Sequence, residues 1–310
     1  MGADSRSAFV VETLERGSPG TVWVAAEGGS SVTNQLLVGA LRQRGARAEL
    51  VRPAKISGLA RPGDVVLGRL DVRPTLDGVE DGIWELRRVE RMGVPVLNPA
   101  PSLVACHDKL QTAVRFAAAG IAHPKASYID WASRPSQTDA PVVVKPRFGS
   151  WGKDVFLCES GSELERCLRR LRRKPWFRSQ GALVERYIQS LGYDLRVLIV
   201  RGEAVGAVQR VAPAGEWRTN VALGAVRVPV TPPPEACALA TAAAAAVGGD
   251  LVGIDLLPLA DGGWVVLEAN GAVDFTSDYS IGERDVFDVV AECIVDRNSA
   301  LAAQVADLTL

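Results

Sequence analysis

The stretch Val252-Gly253-Ile254-Asp255-Leu256-Leu257-Pro258-Leu259-Ala260-Asp261-Gly262-Gly263-Trp264-Val265-Val266-Leu267-Glu268-Ala269-Asn270 decides how this chain folds. Two apolar runs flank Asp261-Gly262, the strongest short-range signal for a β-hairpin. A turn centred on that dipeptide sets Asp255 opposite Glu268. Side chains so opposed have Cβ atoms about 4.5 to 5.5 Å apart, and two like charges at that distance destabilise a sheet unless a cation lies between them. Asn270, two residues beyond Glu268, points to the same face. Carboxylate and amide oxygens are hard ligands suited to Mg²⁺, which commonly binds substrate phosphates as well. The alternative reading of the same residues is a solvated polar hairpin face.

The rest of the composition narrows the field. At 310 residues the prior is two domains or three small ones. A hydrophobic content of 47% with 23% charged residues is that of an ordinary globular enzyme, and a net charge of -1 gives no general attraction to nucleic acid or to an anionic membrane. The longest strongly apolar run, Ala236 to Val247, is too short and too alanine-rich to span a bilayer, and the beginning of the chain has no apolar signal region. Arg6 stands where a myristoylation signal has Ser or Thr, so a cytoplasmic protein is expected. Five cysteines (106, 158, 167, 237 and 293) are scattered and odd in number, which argues against disulfides and zinc. With two histidines, His107 and His123, a histidine-based triad has little to draw on.

Along the chain, residues 1 to 19 read as a polar leader. TVWVAA is a strand, followed by Gly28-Gly29-Ser30-Ser31 and a helix around 34–44. ARAELV, DVVLGRL and VPVLN are further strands, with a helix near 80–92, and the alternation predicts a parallel sheet over 1–98. The chain has no GxGxxG and no GxxxxGK[ST], which excludes the usual dinucleotide and P-loop sites. A helix is expected from Ser102 through His107-Asp108-Lys109 to Ala119. PVVVKP and DVFLCE then flank Arg147-Phe148-Gly149-Ser150-Trp151-Gly152-Lys153, the outline of a phosphate-covering hairpin, and this central unit spans 99–183. The basic helix from Glu163 to Arg173 reads as a solvated face. ALVERYI, DLRVLIV and AVGAVQRV are strands, and an alanine-rich helix precedes the hairpin in a last unit over 184–310.

Lys145 lies in an apolar strand, where an unpaired ammonium is costly, so an anion is expected beside it, and a phosphate fits. The loop after it offers backbone N–H groups and two glycines for close approach to phosphate oxygens. Arg196 and Arg210 sit in strands and Arg218 in the WRTN loop, where guanidinium groups suit bidentate contact with carboxylate or phosphoryl oxygens. Ion pairing with Asp194 or Glu216 is the structural alternative.

Taken in order, Asp108-Lys109, Lys145-Pro146, Gly149-Ser150-Trp151-Gly152, Glu185-Arg186-Tyr187-Ile188, Asp194-Leu195-Arg196, Arg218-Thr219-Asn220, Gly253-Ile254-Asp255 and Glu268-Ala269-Asn270 resemble the ATP-grasp ligases of the RimK/LysX branch over about 21–296. The resemblance implies an α/β protein: an N-terminal parallel-sheet domain followed by two α+β lobes that hold ATP between them. It implies that Lys109 and Lys145 contact the nucleotide phosphates and adenine edge. Gly149, Ser150, Trp151, Gly152, Lys153, Asp154 and Val155 become a mobile lid over the β and γ phosphates. Glu185, Arg186, Tyr187 and Ile188 become the adenine linker, and Asp194 lies by the ribose. Asp255, Glu268 and Asn270 match the ligands for Mg²⁺, with Mn²⁺ as the alternative ion.

The chemistry implied is ATP-dependent joining of a carboxylate to an amine through an acyl phosphate, with Arg196, Arg218 and Asn220 as the catalytic set. Asp274 and Phe275 resemble the place where the aminoadipate-to-carrier-protein branch has an acidic residue and a phenylalanine. Asp274 is thus expected to receive the ammonium of glutamate or a similar amino acid, and the acceptor to be a peptide, carrier protein or small carboxylate. Two departures stand out: Leu223-Gly224-Ala225 replaces a frequent Arg-Gly-Gly, and Asp274 replaces a more usual glutamate. The alternatives are a non-catalytic ATP-binding regulator of the same fold and a dipeptide or glutathione-like synthetase. A homo-oligomer stays open.

Overall fold

The computed structural model describes residues 20–27, 31–133 and 140–295. The expected leader and Gly28-Gly29-Ser30 lie outside the described residues. The first unit runs β1 (Thr21–Ala25), α1 (Val32–Gln43), β2 (Arg47–Val51), α2 (Pro53–Leu59), β3 (Val65–Gly68), α3 (Ile83–Arg91) and β4 (Val96–Leu97). Its sheet is parallel throughout, in the order β2-β1-β3-β4, as the strand–helix alternation requires. Helix α1 buries Leu37, Val38 and Leu41, one stripe at helical spacing.

The helix expected from Ser102 to Ala119 is two helices, α4 (Ala100–His107) and α5 (Lys109–Ala118). Asp108 divides them. Its backbone turns to φ -85°, ψ 95°, and its side chain accepts hydrogen bonds from the Leu110 and Gln111 amides, an N-cap that starts α5 afresh. Arg147 binds the same carboxylate through Nε and Nη2, at 2.7 and 2.6 Å. Asp108 therefore fixes both the start of α5 and the strand end that leads into the glycine loop.

The central unit has β5 (Ala126–Ile129), β6 (Val142–Pro146), β7 (Phe156–Cys158), α6 (Gly161–Leu171), α7 (Pro175–Gln180) and β8 (Ala182–Arg186), with an antiparallel sheet in the order β5-β8-β6-β7. Strand β8 crosses the boundary expected at 183/184 and belongs to this sheet. Helix α6 buries Leu164, Cys167, Leu168 and Leu171, leaving its arginines outside.

The third sheet, in the order β11-β10-β9-β12-β13, is antiparallel and comprises β9 (Tyr193–Val200), β10 (Glu203–Val211), β11 (Val226–Pro229), β12 (Leu251–Pro258) and β13 (Trp264–Asn270). Between β11 and β12 runs α8 (Pro234–Val247), and among the described residues a further helix, α9, covers 286–295. Alanines 236, 240, 243 and 244 let α8 lie close on one face, against Leu195, Val197, Ile199, Val252, Ile254 and Leu256. Each large aliphatic chain buried there contributes about 1.5 to 3 kcal/mol. The other face is divided along its strands: Leu198 and Val200 pack with Val22, Val24, Leu41, Phe287 and Val290, so the first and third units share one core. Asn98, wholly buried, joins them with Nδ2 donating to the Leu251 and Gly271 carbonyls and Oδ1 accepting from the Asp250 and Leu251 amides. All five cysteines are thiols outside any disulfide, three of them buried. No helix among the described residues is long and apolar enough to cross a membrane.

Candidate active site

The hairpin reaches the expected pairing by an unexpected route. Near the turn Leu259 N donates to Gly263 O, and Leu256, Leu257 and Pro258 face Val266, Val265 and Trp264, one residue away from the register of a two-residue turn. A β-bulge between Asp255 and Leu256 absorbs Leu267 and restores Asp255 opposite Glu268 and Gly253 opposite Asn270. The bulge also brings the consecutive residues Leu267 and Glu268 to one cavity.

Charged side chains occupy the end of the sheet face that the apolar core leaves. Across the strands Arg227 faces Arg210 and Arg210 faces Asp194, while in the neighbouring row Arg196 faces Asp255 and Asp255 faces Glu268. The cations that the like-charged hairpin pair demands are thus in the protein itself. Arg196 grips Asp255 through Nε and Nη2 at 2.5 and 2.7 Å, and Arg210 reaches Asp255 at 2.8 Å. Lys109 Nζ binds Glu268 at 2.7 Å and the Gly149 carbonyl at 2.9 Å. Burial alone would raise the Glu268 pKa, but the Lys109 and Lys145 ammoniums outweigh it and hold the carboxyl well below its ordinary value. Burial likewise opposes charge on Arg210, and Asp255 and Asp194 reverse that effect.

An open cleft, about 930 Å³ with the solvent at its mouth included, lies between the central and third sheets. Lys109, Lys145, Gly149, Ser150, Trp151, Gly152 and Val155 line it, as do all four linker residues Glu185, Arg186, Tyr187 and Ile188. Arg218, Asn220, Asp194, Asp255 and Glu268 complete the charged wall. The anion required beside Lys145 is the Glu185 carboxylate, at 2.7 Å. Two lid residues are not in the wall. Lys153 Nζ donates to Pro74 O, and Asp154 accepts from Trp176 Nε1 at 2.8 Å and from Lys174 at 3.2 Å, so they anchor the lid from outside.

Asp194 does not offer a free carboxylate to a ribose. It is 1% exposed, paired with Arg210 through both oxygens, and accepts from Thr219 Oγ1 at 2.5 Å. For Arg210 the ion-pair alternative therefore holds. Arg218 is paired with Glu216 at 2.8 Å and lies within 3.4 Å of the Gly152 and Val155 carbonyls, which ties the WRTN loop to the lid. Its hydrogen bonds hold the Glu216 pKa down to about 2.

A second cavity, about 620 Å³ with the solvent at its mouth included, adjoins the first through Ser150, Trp151, Arg210, Asn220 and Glu268. Asn270, Arg196 and Asp274 line it; Asp274 Oδ1 accepts from Ser31 Oγ at 3.1 Å. Phe275 does not line it: it is 1% exposed, stacked on Phe287 with ring centroids 4.6 Å apart, and is a core residue. Sequence reasoning missed Asp71, His107 and Arg227 in this cavity, and Val143, Leu257, Leu267 and Trp217 in the first. Leu257 had a signal, its two-residue offset from Asp255; the others meet only through tertiary packing.

Among the described residues no group of three or more His, Cys, Asp or Glu side chains is arranged for a metal. The donor set still fits Mg²⁺ that is bound partly by phosphate and water: Asp255 and Glu268 are register partners on adjacent strands, and Asn270 lies on the same face.

Three sheets in this order, with a glycine-bearing lid over a carboxylate hairpin, define the ATP-grasp class. Consistent with this, D-alanine–D-alanine ligase from Bacillus anthracis complexed with ATP superposes with a TM-score of 0.68 at 16% identity, covering 93% of this chain and 99% of that one. The family model for the RimK-like ATP-grasp domain matches residues 107–286, and the chain belongs to that family. It is 30% identical over 237 residues to N-acetylaspartylglutamate synthase A of Homo sapiens, a match covering 74% of this chain; the chain spans 59% of that relative's length. It is also 30% identical over 242 residues to a probable alpha-L-glutamate ligase of Methanococcoides burtonii, covering 74% of this chain and 76% of the relative.

Proposed function

We propose that this protein is an ADP-forming carboxylate–amine ligase that joins glutamate or a similar amino acid to a carboxylate on a peptide, carrier protein or small molecule. The observation that carries the reading is the meeting of the two cavities at Glu268. One offers lysines, lid amides and an apolar wall suited to a nucleotide, and the other mixes carboxylates and guanidinium groups, as an amino acid requires. The names of the two relatives, each containing glutamate, support the amino-acid half.

In this reading Lys109, Lys145 and the lid amides of 149–152 hold the phosphates, and Glu185 to Ile188 border the adenine. Asp255, Glu268 and Asn270 hold Mg²⁺, which when bound neutralises phosphate charge during transfer. The terminal phosphoryl group passes from ATP to the carboxylate oxygen, releasing ADP. The amine attacks the acyl carbon, loses a proton, and the phosphate leaves with the C–O electron pair. The work of the protein is positioning and charge stabilisation: Arg218 and the free edge of Arg196 face the developing oxyanion, Asn220 borders both cavities, and Asp274 draws the incoming ammonium. Arg218 must exchange part of its grip on Glu216 to do so.

A screen of amino acids against candidate carboxylates for ADP release, with product masses measured, tests the proposal. Release that requires both partners is expected; nucleotide binding without turnover would leave the non-catalytic alternative. Asp274→Ala is expected to raise the KM for the amino acid by about one to two orders of magnitude, the effect of losing a charge-assisted hydrogen bond. An unchanged value would remove Asp274 from the site.

A further inference from the structure

Every buried or half-buried cation lining the first cavity has a carboxylate of its own, Lys109 with Glu268, Lys145 with Glu185, Arg210 with Asp194 and Arg218 with Glu216, and in the second cavity Arg196 is paired with Asp255. Arg186 is exposed and faces water. Arg227, in the second cavity, has no protein partner at its Nε: the atom is buried and makes no hydrogen bond. Arg227 also stands directly opposite Arg210 on adjacent strands, a pairing of like charges that destabilises a sheet. Arg210 is neutralised by Asp194 and Asp255, so the uncompensated charge of the pair is that of Arg227. A half-buried guanidinium with two such penalties is the counterpart of an anionic ligand group.

Position narrows which group. Strand β11 is the far edge of the sheet from β13, four interstrand steps away, or about 19 Å between backbones. Arg210 crosses two such steps to reach Asp255, so the Arg227 side chain can close part of this gap, and an anion on it lies to one side of Glu268, where the reacting carboxylate meets phosphate. The cavity nevertheless runs continuously from Glu268 and Asn270 to Arg227, with Asp71 and Asp274 along it. An amino acid that fills it has its reacting amine near the hairpin and a carboxylate at the other end.

We propose that Arg227 is a specificity-determining residue that binds the distal, non-reacting carboxylate of a dicarboxylic amino acid, so that the site accepts such an acid and discriminates against its neutral side-chain amide. This rests on the ligase reading above, and deepens it by assigning selection for side-chain charge to one residue outside the nucleotide cavity.

The test is calorimetric titration of the full chain, held with a non-hydrolysable ATP analogue and Mg²⁺, using two pairs of probes: L-glutamate with L-glutamine and L-aspartate with L-asparagine. The wild type should bind at least one acid about ten- to a hundredfold more tightly than its amide, the range for one charge-assisted hydrogen-bonded contact. Arg227→Gln should reduce affinity for that acid to the level of the amide, Arg227→Lys should restore part of the preference, and affinity for the ATP analogue should stay the same in all three. Without ligand, Arg227→Gln should melt no lower than the wild type, because an uncompensated charge has been removed; a purely structural arginine would lower the melting temperature. Equal binding of acid and amide by the wild type, binding of neither acid, or a preference that survives Arg227→Gln overturns the proposal. Turnover is read separately: ADP release with neutral amino acids alone would sink this inference and leave the ligase reading standing, whereas no ADP release with any amino acid would sink the ligase reading.

Discussion

Glu268 and Asp255 face each other across the hairpin but hold their charges by different means. Glu268, 21% exposed, leans on one direct lysine contact and can exchange it for a metal ion. Asp255, 2% exposed, is clamped by two arginines, both largely buried. Glu268→Gln is therefore expected to remove Mg²⁺-dependent ADP formation while costing little stability. Asp255→Asn should lose the activity and also about 3 to 5 kcal/mol, the range for breaking a buried ion pair on one side. Denaturant titration of the two variants measures the difference, and equal, small losses would contradict the clamp. Glu216 gives a pH prediction. Its folded pKa is depressed from 4.5 to about 2, so its pair with Arg218 contributes fully above 4.5 and is lost as pH falls from there towards 2. The stability difference between wild type and Glu216→Gln should stay constant from pH 7 down to about 5 and shrink as pH falls through 4.5 towards 2; a difference that stays constant through that window would rule out the depressed value.

At the scale of elements, the lid turns on Gly152, whose φ of +68° favours glycine. A Cβ there would come within 2.6 Å of Asn220 Oδ1 and 2.9 Å of Leu223 Cδ1. Gly152→Ala should accordingly weaken ATP binding about tenfold or more, since left-handed backbone alone costs an alanine about 1 to 2 kcal/mol. An unchanged ATP affinity would mean that the lid need not approach Asn220. The same contact explains where Leu223 goes: the departure from Arg-Gly-Gly puts an apolar side chain under the lid. Much of this was legible, because hairpin, lid and linker are local patterns in which side-chain period and glycine placement carry the information. The Asp255–Glu268 pairing was reached through two offsets that cancel, a longer turn and a bulge, neither of which leaves a clear mark in the sequence. The division at Asp108 was hidden for a related reason: the carboxylate that caps α5 is also gripped through both oxygens by Arg147, far along the chain. Which carboxylate each arginine takes, and that Asp71 and Arg227 border one cavity, depends on how strands and units are brought together.

At the scale of the molecule, the shared core and Asn98 make the first and third units one folding body, while the central sheet has its own cluster, to which the first unit contributes Val72 and Leu76. Hydrogen exchange should therefore give β1, β3, β9 and β12 a common protection, with β6 and β8 opening separately and at lower free energy. Asn98→Ala, which leaves four buried backbone groups without their partner, should cost about 3 kcal/mol or more and lower protection in both outer units together. Protection lost in only one of them would contradict a joint core. The glycine loop joins β6 and β7 of the central sheet, so under the proposed function the independent opening of that sheet would admit nucleotide. The central claim, transfer of phosphate to a carboxylate before amide formation, is tested most directly with ¹⁸O. A carboxylate substrate found by ADP release is labelled in both oxygens, and the inorganic phosphate formed during ligation is analysed by mass spectrometry. The account predicts one ¹⁸O in each phosphate together with ADP; phosphate without label, or AMP and pyrophosphate in place of ADP, would contradict it.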